Sequence, residues 1–116
     1  MEKDLFGKCP FVTAQKVLSG KWSLYIMHLL EDGPLRFNEL LRLRPENMTH
    51  TTLSRQLKQL MDQGLIDRHE YSQVPPKVEY SHTEIGEKLI PVLRDLGDWG
   101  NEYIAYMGID GIEKTI

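Results

Sequence analysis

Between Gly33 and Gly86 the chain carries an ordered run of short motifs that leaves little freedom in how it can fold. It reads G-P-L-R-F-N-E-L (33–40), T-T-L-S-R-Q-L-K-Q-L (51–60), Q-G-L-I-D-R (63–68), V-P-P-K-V-E-Y (74–80) and T-E-I-G (83–86). After a one- or two-residue strand at Leu35-Arg36, the spacing predicts a helix over Phe37–Leu43 with Phe37, Leu40 and Leu41 inward, stopped by Pro45. Thr49 is placed to cap the next helix through its hydroxyl. That helix runs to Gln63, buries Leu53, Leu57, Leu60 and Met61, and ends where Gly64 can turn left-handed. Ile66–Tyr71 and Lys77–Ser81 read as the strands of a hairpin with a proline-stiffened tip, in a register that sets Arg68 opposite Glu79.

Flanking segments complete the layout. Pro10–Ser19 reads as a helix with proline at its first position, and Ser19-Gly20 breaks it. Lys21–Glu31 follows, with Trp22, Tyr25, Ile26, Leu29 and Leu30 at helical spacing, and Asp32-Gly33-Pro34 ends it. Thr83 caps a last helix, Glu84 to about Met107, which Pro91 should bend or interrupt; residues 108–116 are expected to fray. The fold class is mainly α with a small β-hairpin wing: one winged helix-turn-helix unit over 1–116. Its helix-turn-helix spans about 37–63, its wing about 66–81, and its C-terminal helix about 84–107. This layout offers one helix to a DNA major groove and the hairpin to the adjacent backbone.

With 116 residues, 41% hydrophobic and 27% charged, the chain suits one modest globular core. No apolar run is long enough for a membrane span and the N-terminus lacks a signal-peptide core, so a cytoplasmic location is expected. The net charge of −3 is unevenly spread. Residues 36–82 carry seven Lys/Arg and six Asp/Glu, whereas residues 83–116 carry three and seven. The DNA-facing unit is thus weakly basic, which permits nucleic-acid binding without demanding it. His28, His50, His69 and His82 lack metal-ligand spacing, and a single cysteine excludes an internal disulfide or a multi-cysteine zinc site. There is no Gly-rich phosphate loop, G-x-S-x-G or H-E-x-x-H, so neither enzyme chemistry nor a metal or other cofactor is expected.

On the second helix of the unit, Thr49, His50, Thr51, Thr52, Arg55, Gln56 and Lys58 are the candidate DNA-reading residues, with Gln59 on the same side. Hydroxyl, amide and guanidinium groups recognise base edges and phosphates, and no carboxylate appears until Asp62. Lys77 at the wing tip is a candidate phosphate contact. A single winged-helix layer cannot bury all the bulky apolar residues near the chain ends. Phe11, Val12, Leu93, Leu96, Trp99 and Tyr103 are therefore expected to pair with a second copy, giving a homodimer suited to a two-fold operator. Cys9 precedes a helix start and follows Lys8, a setting that favours the reactive thiolate; the plain alternative is a small packed apolar residue. Two other readings stand beside DNA regulation. One is a winged helix that only contacts proteins; the other is a thiol enzyme built on Cys9, which would need a general base.

These motifs resemble those of the HxlR-type transcriptional regulators, a winged-helix family of bacteria and archaea. The resemblance covers about residues 9–100. It rests on Cys9-Pro10, Gly20-Lys21-Trp22, R-F-x-E-L at 36–40, Gly64-Leu65-Ile66 with Arg68, V-P-P-K-V-E-Y followed by T-E-x-G, and Trp99-Gly100. It implies a homodimeric DNA-binding regulator whose terminal helices form the dimer. It also implies that a cysteine at the Cys9 position serves some members as a sensor of oxidants or electrophiles. Ser19 and His82 depart from the family pattern, which usually has glycine and leucine there; a buried imidazole at 82 requires a hydrogen-bond partner.

Overall fold

The computed structural model describes residues 4–109. Its elements run α1 (Pro10–Val17), α2 (Ser23–Leu29), α3 (Phe37–Arg42), α4 (His50–Asp62), β1 (Ile66–Tyr71), β2 (Lys77–His82), α5 (Glu84–Lys88) and α6 (Ile90–Met107). Helices 1 and 2 are each shorter than their apolar patterns suggest. The strand expected at Leu35 is a single rung against Tyr80, with N···O distances of 3.0 and 2.8 Å. Most of the stretch expected to fray, residues 110–116, lies outside the described residues.

Helix α4 organises the core. Leu53, Leu57 and Leu60 form its inward stripe and close with Ile26, Met27 and Leu30 of α2, Leu40 of α3, and Ile66 and Tyr80 of the hairpin. Met61, expected in that stripe, sits at its margin and is only half-buried. The Thr49 hydroxyl accepts from Thr52 N at 3.0 Å, as capping requires. Met48 and Leu53 hold the two positions of a hydrophobic staple around that cap, and both are fully buried. Gly64 ends the helix with φ 79°.

The hairpin register differs from expectation by one residue: Arg68 faces Tyr80, and Glu79 faces His69. A one-residue slip would reverse every side chain, and burial of Ile66 and Tyr80 on one face decides the matter. Arg68 instead reaches Glu70 along its own strand, at 3.6 Å.

Where β2 leaves the hairpin, Thr83 fastens the wing to the end of α4. Its backbone N–H donates to the Leu65 carbonyl at 3.0 Å, and its hydroxyl donates to the Gly64 carbonyl at 2.7 Å. The same hydroxyl caps α5 by accepting from Gly86 N at 3.1 Å. A β-carbon at Gly86 would land on the Leu65 carbonyl oxygen, so the T-E-x-G motif records a close approach of two backbones. His82 finds a partner for one ring nitrogen: its Nε2–H donates to the Met27 carbonyl at 2.9 Å, while Nδ1 is buried without one among the described residues. That carbonyl belongs to the last turn of α2, where intrahelical partners run out. The expected single C-terminal helix is broken at Leu89, and Pro91 falls in the first turn of α6, where its missing N–H costs nothing.

Gly86→Ala should lower unfolding stability by about 1–3 kcal/mol, the range for overpacking at a close contact. Urea denaturation measures this, and an unchanged midpoint would refute the backbone approach.

Candidate nucleic-acid interface

Helices α3 and α4 form the helix-turn-helix. The turn between them is held by Met48 N donating to the Pro45 carbonyl at 3.1 Å. Arg36 N donates to the Glu39 carboxylate at 2.8 Å, fixing the start of α3. The outward side of α4 presents His50, Thr51, Ser54, Arg55, Lys58 and Gln59, all exposed. Thr49 is exposed but engaged as the cap, and Thr52 is half-buried beneath it. The His50 ring packs on Phe37, with centroids 4.7 Å apart, which orients it at the head of the helix. Lys58 reaches Asp62 at 3.2 Å across one turn. Among the described residues Arg55 has no ion pair and no side-chain hydrogen bond, so its guanidinium is available. Ser54, one turn from Thr51 and beside Arg55, was absent from the sequence-based candidates; helical spacing alone places it on this face.

Gln56 must be removed from the outward face. It is 7% exposed, and its Oε1 accepts from Trp22 N at 3.1 Å while its Nε2 donates to Gln59 Oε1 at 3.3 Å. The amide fills the space above Gly20, where an added β-carbon would lie 2.6 Å from Oε1. The G-K-W motif is thus one half of a joint whose other half is Gln56: glycine makes room, and the tryptophan backbone supplies the donor. Because this joint ties the inner side of α4 to the α1–α2 turn, it sets how far the outward face projects.

The wing is held by its own polar groups. The Tyr71 hydroxyl donates to Glu79 at 2.8 Å, and the Lys77 ammonium lies 3.5 Å from that carboxylate and 4.6 Å from the Tyr71 ring centroid. The hydrogen bond from Tyr71, then Lys77, holds the Glu79 carboxyl below the usual carboxylate range, and the same bond holds the Tyr71 hydroxyl above its ordinary value. Lys77 is therefore half-buried and engaged within the hairpin rather than free at the tip.

The apolar residues near the ends divide. Leu93, at 7% exposure, packs in the core and is withdrawn from the candidate partner surface. Phe11 is 84% exposed, Val12 half-buried, and Leu96, Trp99 and Tyr103 exposed. The Trp99 and Tyr103 rings stack 5.2 Å apart. Leu93 is the only buried residue of α6, so the described residues leave most of the apolar face of that helix uncovered. Cys9 is half-buried at the N-cap of α1, its N–H donating to the Leu5 carbonyl at 2.8 Å; among the described residues its sulfur has no hydrogen-bonded base. No group of described residues could hold a metal ion, and no described helix is long and apolar enough to cross a membrane.

The family model for HxlR-like helix-turn-helix proteins matches residues 17–107. The chain belongs to this family. It is 45% identical over 95 residues to YkvN of Bacillus subtilis (strain 168), described as an uncharacterized HTH-type transcriptional regulator, covering 82% of this chain and 80% of that one. Among solved structures, the redox regulator HypR in its reduced form is 36% identical, with a TM-score of 0.79 over 88% of this chain and 100% of that chain. The reduced transcriptional regulator YodB from B. subtilis is 31% identical, with a TM-score of 0.71 over 82% and 93% of the two chains. This HxlR-type chain is a winged-helix transcriptional regulator and not an enzyme, as are its relatives. The thiol-enzyme reading is thereby set aside.

Gln56→Ala strands the part-buried Trp22 N–H and should cost about 1–3 kcal/mol of folding stability. Thermal denaturation tests it; a variant as stable as the parent would return Gln56 to the outward face.

Proposed function

We propose that this regulator binds a two-fold DNA operator as a homodimer, through the outward face of α4, and that Cys9 modification weakens the binding. The observation that carries the DNA reading is the stripe Thr51, Ser54, Arg55 and Lys58: exposed, rich in donors and free of carboxylates. Thr51 and Arg55 enter the groove, and Thr49 and His50 lie at the helix start, where backbone N–H groups also meet phosphates. Lys77 approaches the flanking backbone only if it leaves Glu79. Leu96, Trp99 and Tyr103 of α6, with Phe11 and Val12 of α1, face the second copy; large apolar side chains left exposed in this way mark an interaction surface. The other reading, a winged helix that contacts only proteins, lacks the salt-dependent DNA affinity that phosphate contacts impose.

Arg55→Ala should reduce operator affinity by about 1–3 kcal/mol if the guanidinium pairs with guanine. Folding stability should stay within about 0.5 kcal/mol of the parent, as for other surface changes. Fluorescence anisotropy with the bound genomic site, at two salt concentrations, measures both affinity and its salt slope. Undiminished affinity in Arg55→Ala removes the residue from the interface.

Support for the thiol switch comes from Cys9 at the N-cap of α1 beside Lys8, and from structural relatives that include a redox regulator and a diamide-treated regulator. With one cysteine in the sequence, diamide takes two electrons and two protons from two thiols, joining Cys9 to the Cys9 of a second chain or to a small thiol. If α1 lies in the dimer, the new bond rotates one subunit against the other. The two reading helices then leave the spacing of about 34–36 Å that successive major grooves require. Diamide should abolish operator binding in the parent and leave Cys9→Ser unaffected. Equal behaviour of the two proteins returns Cys9 to a packing role.

A further inference from the structure

An open groove of about 580 Å³ runs between α1 and the junction that joins α4, the wing and α5. Ala14, Val17 and Leu18 form one wall, and Leu65, Ile85 and Leu89 the other. Phe11 and Val12, which face the proposed partner copy, do not line it. Neither does any residue of α6. The one hydroxyl in the lining, on Thr13, is already engaged as acceptor from Gly7 N at 2.8 Å. The charged groups lining the groove are Lys8 and Lys88, with no carboxylate among its walls. Both lysines are exposed, and among the described residues neither is in an ion pair.

Lys88 stands in a C-terminal third with seven acids and three bases, yet among the described residues it is in no ion pair, and it lines this groove together with Lys8. Two ammonium groups beside an apolar trough match an apolar body that carries negative charge, and the volume is that of an ordinary small-molecule site. We propose that the groove binds a small amphipathic organic anion, an alkyl or aromatic body bearing a carboxylate. Lys8 and Lys88 take the carboxylate, and the body lies along Val17, Leu65 and Ile85. Leu65 accepts from Thr83 N through its carbonyl and donates its own N–H to the Leu60 carbonyl of α4 at 3.0 Å. A ligand here therefore touches both α1 and the exit of the reading helix.

The test uses the full chain without DNA, so it stands apart from operator binding. Anilinonaphthalene sulfonate is titrated in, then displaced with decanoate or with decyltrimethylammonium. One saturable site per chain is expected, displaced by decanoate and not by the cation. In Lys8→Glu/Lys88→Glu, decanoate affinity should fall about tenfold or more, while Lys8→Arg/Lys88→Arg retains it. Ile85→Glu, at an exposed wall position, should also weaken it, with circular dichroism confirming the fold. The proposal is overturned by absence of saturable binding, by equal displacement by the cation, or by unchanged affinity in the charge-reversed variant. Loss of binding in Trp99→Ala with retention in Ile85→Glu would place the dye on α6 and overturn it equally.

Discussion

The junction of Thr83 and Gly86 with Gly64 and Leu65 is the contact on which the arrangement of this molecule rests. Two residues, the N-cap of α5 and Gly86 within its first turn, meet two carbonyls at the exit of α4, the second at a distance only a glycine allows. The hairpin between these points is a closed excursion whose ends are fastened together, so the wing cannot drift relative to α4 without breaking backbone hydrogen bonds. Loop closure carries an entropic cost, and here it is offset by groups that would otherwise lack partners at two helix ends.

A second joint, between Gln56 and the Gly20–Trp22 turn, acts on the opposite side of α4. Together the two joints hold the helix at its middle and at its end. A buried amide with both ends satisfied favours one geometry over nearby alternatives, because a small rotation would leave polar groups without partners. The outward residues inherit this geometry: the Arg55 side chain is exposed and, among the described residues, unpaired, but the backbone that carries it is held by both joints.

Much of this was legible in the sequence because it depends on local rules. Thr49 as a cap, Gly64 as a left-handed stop and Pro91 as a break follow from backbone chemistry alone, and each occurs. What escaped depends on contacts distant in sequence. Glutamine at position 56 looks polar and outward, and only the presence of Trp22 N, thirty-four positions away, turns it inward. Leu93 and Leu96 have the same chemistry, yet only the first lies against the core. A straightforward hairpin register pairs Arg68 with Glu79, but the observed one is shifted by one residue because burial of Ile66 and Tyr80 on one face outweighs an exposed charge pair. Lys77 was expected free because its cage, Tyr71 and Glu79, forms only once that register is set.

The break at Leu89 divides the C-terminal region into a short piece clamped to the wing and an 18-residue rod. At about 1.5 Å per residue, that rod spans about 27 Å, so a swing of about 5° at the break moves its far tip by about 2 Å. Trp99 and Tyr103 ride on the outer half of this lever. A modest change at the α5–α6 break is therefore magnified with distance along the rod, and a disturbance at its tip is reduced on the way back to the break.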